Sequence, residues 1–272
     1  MARVKGALQV TGGIKGVSFY TIKGSDTVFM RTKGGPSAGR MKTGKEFANV
    51  RLHQTEWGGC VLFSQFIKNS LPLISELADF NISPTLNGLG KKLMKLDTEH
   101  ETGQRSIELS KYPEALTGFN LNKQFQFGAV FRNSIQIDTN KQNGRVRFDI
   151  PRINATEDIL NIQKLPYFRL VFCLSYVADV EFNPNASYGC RYHSRNFSEP
   201  YLGAADPTEW FATNDILEAQ SKEISIDLHL TEAQMAYTTC MVSVGIQFGT
   251  TALGNRIERV KNAGCARIVV LK

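Results

Sequence analysis

Apolar and polar residues alternate with period two at the start of the chain. Val17, Phe19 and Thr21 fall on one face of a strand, and Ser18, Tyr20 and Ile22 on the other. Val28, Met30 and Thr32 repeat the period with Phe29 opposite, and the intervening "KGSDT" supplies the Gly, Ser and Asp of a short loop. The pattern predicts a hairpin that ends at "GGPSAG" (34–39). Both of its faces carry apolar groups. An isolated hairpin is marginal in water, so each face needs a cover.

From about residue 43 to 117 the period changes to helical. Thr43 followed by Glu46 fits a capping box, and Phe47, Val50, Gln54, Trp57 and Val61 follow 3/4 spacing. Gly58–Gly59 is expected to kink or break that helix. Ser83–Pro84 fits an N-cap and first turn, followed by a stripe of Leu86, Leu89, Leu93 and Leu96 that reads as core packing.

Beyond residue 118 the chain reads as strands. Val146, Phe148 and Ile150 alternate with Arg145, Arg147 and Asp149, and Ile224, Ile226, Leu228 and Leu230 alternate with charge and His229. "PYFRLVFCLSYVADVEF" is apolar on both faces, as a central strand or a bent pair would be, while "CMVSVGIQFGT" and "ARIVVLK" complete the set. The expected fold is mainly β with a helical middle segment (α+β). It comprises an N-terminal β-hairpin arm (1–42), a helical segment (43–117) and an antiparallel β-sandwich (118–272), immunoglobulin-like or jelly-roll-like. Residues 184–210 read as a long aromatic loop within the sandwich, and a loop of that length tends to contact partners.

Charge sharpens the picture at one place. Ten basic residues against Asp26 and Glu46 give residues 1–52 a balance of +8, so the net +7 of the whole chain resides there. Such asymmetry points to an acidic or phosphate-rich partner, or to lysines that keep an edge strand from aggregating. Lys5, Lys15, Lys23, Arg31, Lys33 and Arg40 are the expected contacts. A hydrophobic fraction of 42% against 21% charged argues for a folded chain. No apolar run approaches the roughly 20 residues of a membrane-spanning helix. With no signal-peptide pattern, the expected location is the cytoplasm on synthesis, with release as part of a particle. Five widely spaced cysteines, an odd number, argue for reduced thiols.

Candidate chemistry is sparse. Gly12, Gly13 and Gly16 lack the spacing of a phosphate-binding loop and fit a bulge or tight turn. Cys190 and His193 make half a zinc site, and Asp227 with His229 fits an outward polar face. No catalytic residues, cofactor or metal are expected.

"KGALQVTGGIKGVSFYTIKG", then "RTKGG", the late "VSVGIQFG" and the closing "ARIVVLK" resemble an uncharacterised family of similar length encoded by Bacteroidetes-type bacteria. Its members resemble this chain in an N-terminal Lys-Gly…Gly…Phe-Tyr strand pair, an Arg…Gly-Gly turn, a helical middle and a β-sandwich end. The resemblance implies a layout and a structural role, with no site residues. The leading expectation is therefore a non-enzymatic, self-assembling structural protein, a virion component or filament subunit. In it the arm (Val17, Phe19, Tyr20, Ile22, Val28, Phe29, Met30) clasps a neighbouring copy. The alternative is a nucleic-acid-binding protein using the same basic arm. A third is a carbohydrate-binding module presenting Tyr188, Tyr192, Tyr201 and Trp210, which rests on fold analogy.

Overall fold

The computed structural model describes residues 2–4, 12–21, 27–32, 34–187, 191–196 and 199–272. Strand outweighs helix, 37% to 28%, in several antiparallel sheets with no barrel, so the coarse class is mainly β with helices. The chain divides into two units, Met1–Arg51 and Leu52–Lys272.

The first unit holds β1 (Ala2–Val4), β2 (Gly12–Ile14), β3 (Val17–Thr21) and β4 (Val28–Thr32) in one antiparallel sheet, ordered β1-β4-β3-β2. The predicted strand pair is thus the centre of a four-stranded sheet and not a free hairpin. After it comes α1 (Ala38–Thr43), whose first turn is capped by the Ser37 hydroxyl accepting from the Arg40 amide at 3.2 Å. The expected capping box at Thr43 is not formed. Thr43 is the last residue of α1 and donates back to the Gly39 carbonyl, because Gly44 turns extended (ψ 132°) and stops the helix.

Helix α2 (Ala48–Asn69) is continuous through Gly58–Gly59, where a break was expected. Its buried face, Glu56, Gly59, Cys60, Phe63, Phe66 and Ile67, carries the period of 3.6 across both glycines. Gly59 serves a close approach instead: a Cβ there would lie 2.7 Å from the Tyr192 ring. Helix α3 (Ser83–Met94) buries Leu86 and Leu93 of the predicted stripe, while Leu96 lies past its end and is exposed. The single turn α4 (Phe127–Val130) precedes the hairpin β5 (Gln136–Asn140) and β6 (Arg145–Ile150). Short β7 (Ile153–Asn154) and α5 (Ala155–Asp158) lead to the long β8 (Tyr167–Ala178) and β9 (Val180–Phe182). Next come β10 (Tyr192–Ser194), β11 (Tyr201–Pro207), β12 (Phe211–Ala212), β13 (Ile216–Leu217) and β14 (Gln220–Ser225). Then α6 (Glu232–Ala236) precedes the terminal hairpin β15 (Thr238–Thr251) and β16 (Ile257–Leu271). The supposed long loop 184–210 therefore contains two strands, β10 on β9 and β11 on β8. Its Gly, Ala and Pro content hid them.

The two-sided apolar runs explain the architecture of the second unit. A five-stranded sheet runs β11-β8-β15-β16, with β12 also on β8, and β14-β6-β5 forms a second sheet. Phe168, Leu170, Phe172, Leu174 and Tyr176 of β8 face Val146, Phe148 and Ile150 of β6, with the Phe148 and Phe172 rings 4.5 Å apart. The alternate residues Val171, Cys173 and Val177 face the other way, onto Cys60, Phe63, Ile67 and Leu86 of the helices. The helical residues from 52 onward and the five- and three-stranded sheets thus belong to one unit, and those helical residues are the second cover of the five-stranded sheet. A strand buried on both faces loses its alternation, so β8 and β15 read as continuous apolar runs.

Candidate functional site

The surface expected to meet a partner is the sheet of the first unit. Ile14 and Val17 are paired across Lys15–Gly16, a two-residue turn with Lys15 in the left-handed region (φ 47°). Gly12, at φ 116°, is a backbone position that suits only glycine. Gly16 therefore shapes a turn, while Gly12 and Gly13 lie within β2. Register places Phe19 opposite Met30, Tyr20 opposite Phe29 and Thr21 opposite Val28. Directly opposed residues share a face. One face thus presents Ile14, Val17, Phe19, Val28 and Met30, and the other Ser18, Tyr20, Phe29 and Arg31. Tyr20 and Phe29 stack at 5.8 Å, and the Arg31 guanidinium lies 5.3 Å from the Tyr20 ring centre. Among the described residues of this unit only Val28 is fully buried, and Ile14 is 61% exposed.

The basic residues divide. Lys15 sits at the exposed turn and Arg31 on the aromatic face, whereas Arg40 is held by Glu46 at 2.9 Å. Lys5, Ile22, Lys23 and Lys33 lie outside the described residues, as do Tyr188 and Cys190.

The described aromatics of the expected partner loop, Tyr192, Tyr201 and Trp210, are not brought together. Tyr192 is buried, its ring over Gly59 and its hydroxyl donating to the Arg105 carbonyl at 2.9 Å. Tyr201 lies beside Phe66 with rings 5.8 Å apart, and Trp210 covers Gly249 while Arg169 stacks on it at 4.5 Å. Each is spent on internal packing: Tyr192 and Tyr201 lie on β10 and β11, and Trp210 directly precedes β12.

Two buried carboxylates escaped the sequence reading, since nothing local marks a buried acid. Glu56 is fully enclosed. It accepts from Lys91, from Arg105 Nε at 2.7 Å and from the Gly103 amide at 2.9 Å. Burial alone would raise its pKa, but the bonds from Arg105, Gly103 and Lys91 outweigh it and hold the carboxyl down at about 2. Asp179 is the opposite case. Burial pushes it up to about 6 against hydrogen bonds from the Ser110 amide and hydroxyl, with the Glu108 charge adding to the rise. A carboxyl whose folded pKa lies above its ordinary 3.8 favours folding fully below that value and loses this contribution as pH rises through 6. Asp179→Asn should therefore gain stability relative to the parent as pH goes from 4 to 7, on the order of 2–3 kcal/mol. Urea midpoints at three pH values measure this, and a constant difference would refute it.

Glu56 is neutralised by its cations. Cys60, Cys173, Cys240 and Cys265 are buried free thiols, with burial pushing Cys60 up to about 11, so none is a ready nucleophile. Asp227 and His229 are exposed, and among the described residues no three His, Cys, Asp or Glu groups are placed to hold a metal. No helix among the described residues is long and apolar enough to cross a membrane. Comparison with protein-family models, with curated proteins and with solved structures yields no match for this chain.

Proposed function

We propose that this chain is a non-enzymatic structural subunit that self-associates, with the sheet of residues 1–51 clasping a second copy in a virion-like or filamentous assembly. One observation carries the reading: a four-stranded sheet in a 51-residue unit bears apolar side chains on both faces, with Ile14 largely in water. Covering such a face removes apolar area from water at roughly 25 cal/mol per Å². The three-residue outer strands β1 and β2 are where a neighbour's strand would add. The body supporting this clasp is read as a sandwich with a helical cover. The resemblance to the Bacteroidetes-type family favours the same structural role.

The test compares the intact chain, Ile14→Asp and a chain lacking residues 1–34 by light scattering after size exclusion. The intact chain should elute as a multimer and both variants as monomers with unchanged circular dichroism from the body. An intact chain that stays monomeric at high concentration, or a truncated one at the same oligomeric position, sinks the proposal.

A second reading has its own observation, the Tyr20–Phe29 stack with Arg31 over the Tyr20 ring, on a sheet whose exposed turn carries Lys15, which is the composition of a base-stacking surface. Replacing Lys15, Lys23 and Lys33 with glutamine should weaken a gel-shift with single-stranded nucleic acid only under that reading. The shift should also collapse as salt rises.

A further inference from the structure

The five-stranded and three-stranded sheets of the second unit are closed along one side and, along the other, are tied at the end of β5, where Lys272 Nζ donates to the Thr139 carbonyl at 2.9 Å, with a gap beside that tie. On the closed side, Lys222 of β14 reaches β11, pairing with Asp206 at 3.0 Å and donating to the Pro207 carbonyl at 2.8 Å. On the other side, between β5 and β16, lies a cleft of about 340 Å³. Phe127, Phe131, Ile135, Ile137, Val244 and Val269 supply its apolar surfaces, and Phe127, Phe131 and Val244 are almost fully buried. No acidic residue lines it. Its charged groups are Arg132 at the rim and Arg267 within.

Arg267 is unusual in what it lacks. Its guanidinium carbon lies 5.6 Å from the Phe127 ring centre, and Nη1 lies 3.6 Å from where a Cβ on Gly128 would stand. Its Nε is sealed from solvent with no acceptor, and no described carboxylate comes within the 4.0 Å of an ion pair. Arg132 donates to the Glu157 carbonyl at 3.3 Å and likewise has no carboxylate partner. A guanidinium stays charged at any physiological pH, and a partly buried cation without a counter-ion is costly. The planar fork suits a carboxylate bound through two parallel N–H bonds. Pockets for small molecules typically join an apolar lining to a few placed polar groups, in volumes of about 300–1,000 Å³.

We infer that this cleft binds a small aliphatic carboxylate, its head on Arg267 and its apolar body against Val244, Ile137 and Val269. Arg132 supplies a second positive charge at the entrance. Glycine at 128 leaves the approach to the guanidinium open, since a larger side chain there would stand against Nη1. The inference is independent of the assembly proposed above and requires no chemistry by the protein.

Octanoate, octanol and acetate, titrated calorimetrically into the intact chain, test both halves of the recognition. Octanoate should bind at least tenfold more tightly than octanol, which lacks the anion, and than acetate, which lacks the apolar body. Arg267→Gln should weaken octanoate at least tenfold. Ile137→Phe, which fills the cleft and leaves the arginine untouched, should do the same and guards against misfolding of the first variant. No octanoate binding at millimolar concentration overturns the inference. So does equal binding of octanol, or an affinity indifferent to both substitutions.

Discussion

Glu56→Gln should cost about 3–5 kcal/mol, enough to lower the melting temperature by about 10 °C. The carboxylate joins α2 to Lys91 of α3 and to Arg105 and Gly103 in the segment that follows, so three pieces of chain meet on one buried charge. Removing the charge leaves two cations facing an uncharged amide in an enclosed site, and that unpaired state is the expensive one. The pH dependence gives the mechanism a signature. Because the folded carboxyl is held near 2, below its ordinary 4.5, its contribution is complete above about pH 4.5 and disappears as pH falls toward 2. The gap between parent and variant should therefore be full at pH 6 and shrink steadily below pH 4.5 in urea titrations. A gap under 1 kcal/mol at pH 6, or one insensitive to acid, would mean that Glu56 is only filling space.

Gly203→Ala should be costly for a reason that charge cannot supply. Gly203 lies opposite Ser175 in the ladder of β11 with β8, and the Ser70 carbonyl just past the end of α2 sits over both. That carbonyl accepts from the Ser175 hydroxyl at 2.6 Å, docking the helix end onto the sheet. A Cβ at 203 would run into the Ser70 oxygen and lie 2.8 Å from Pro72 Cδ. Backbone cannot rotate away as a flexible side chain can, so the whole helix end must shift. The expected loss is about 3 kcal/mol, at the upper end for overpacking. Gly58→Ala is the matched control. That site is inside α2 with nothing within 4 Å of the new Cβ, and helix propensity alone should yield a gain of about 1 kcal/mol. Equal effects of the two substitutions in thermal melts would remove the close-approach account.

Much of this fold is written locally. The alternation at 145–150 and the paired alternations at 17–21 and 28–32 appear as strands because side-chain direction in a strand has period two whatever the partner. The apolar runs at 167–178 and 238–251 announce burial on both faces without naming what covers them. Pairings between distant residues were invisible. Thr43 and Glu46 looked like a cap, yet Gly44 and the Arg40–Glu46 pair end one helix there. Gly58–Gly59 looked like a break, yet Tyr192, far along the chain, needs the bare backbone at 59.

The sequence by itself determined the strand and helix periods, the basic opening segment and the absence of a legible catalytic motif, because each depends on neighbours a few positions apart. Only the tertiary structure decided that the helical residues from 52 onward are the second cover of the five-stranded sheet and that Glu56 is buried among cations. It alone decided that Tyr192, Tyr201 and Trp210 pack internally and that Arg267 lines a cleft of mixed polar and apolar surface with no described carboxylate beside it. Those outcomes depend on which distant groups share a low-dielectric interior, and neither periodicity nor composition carries that information.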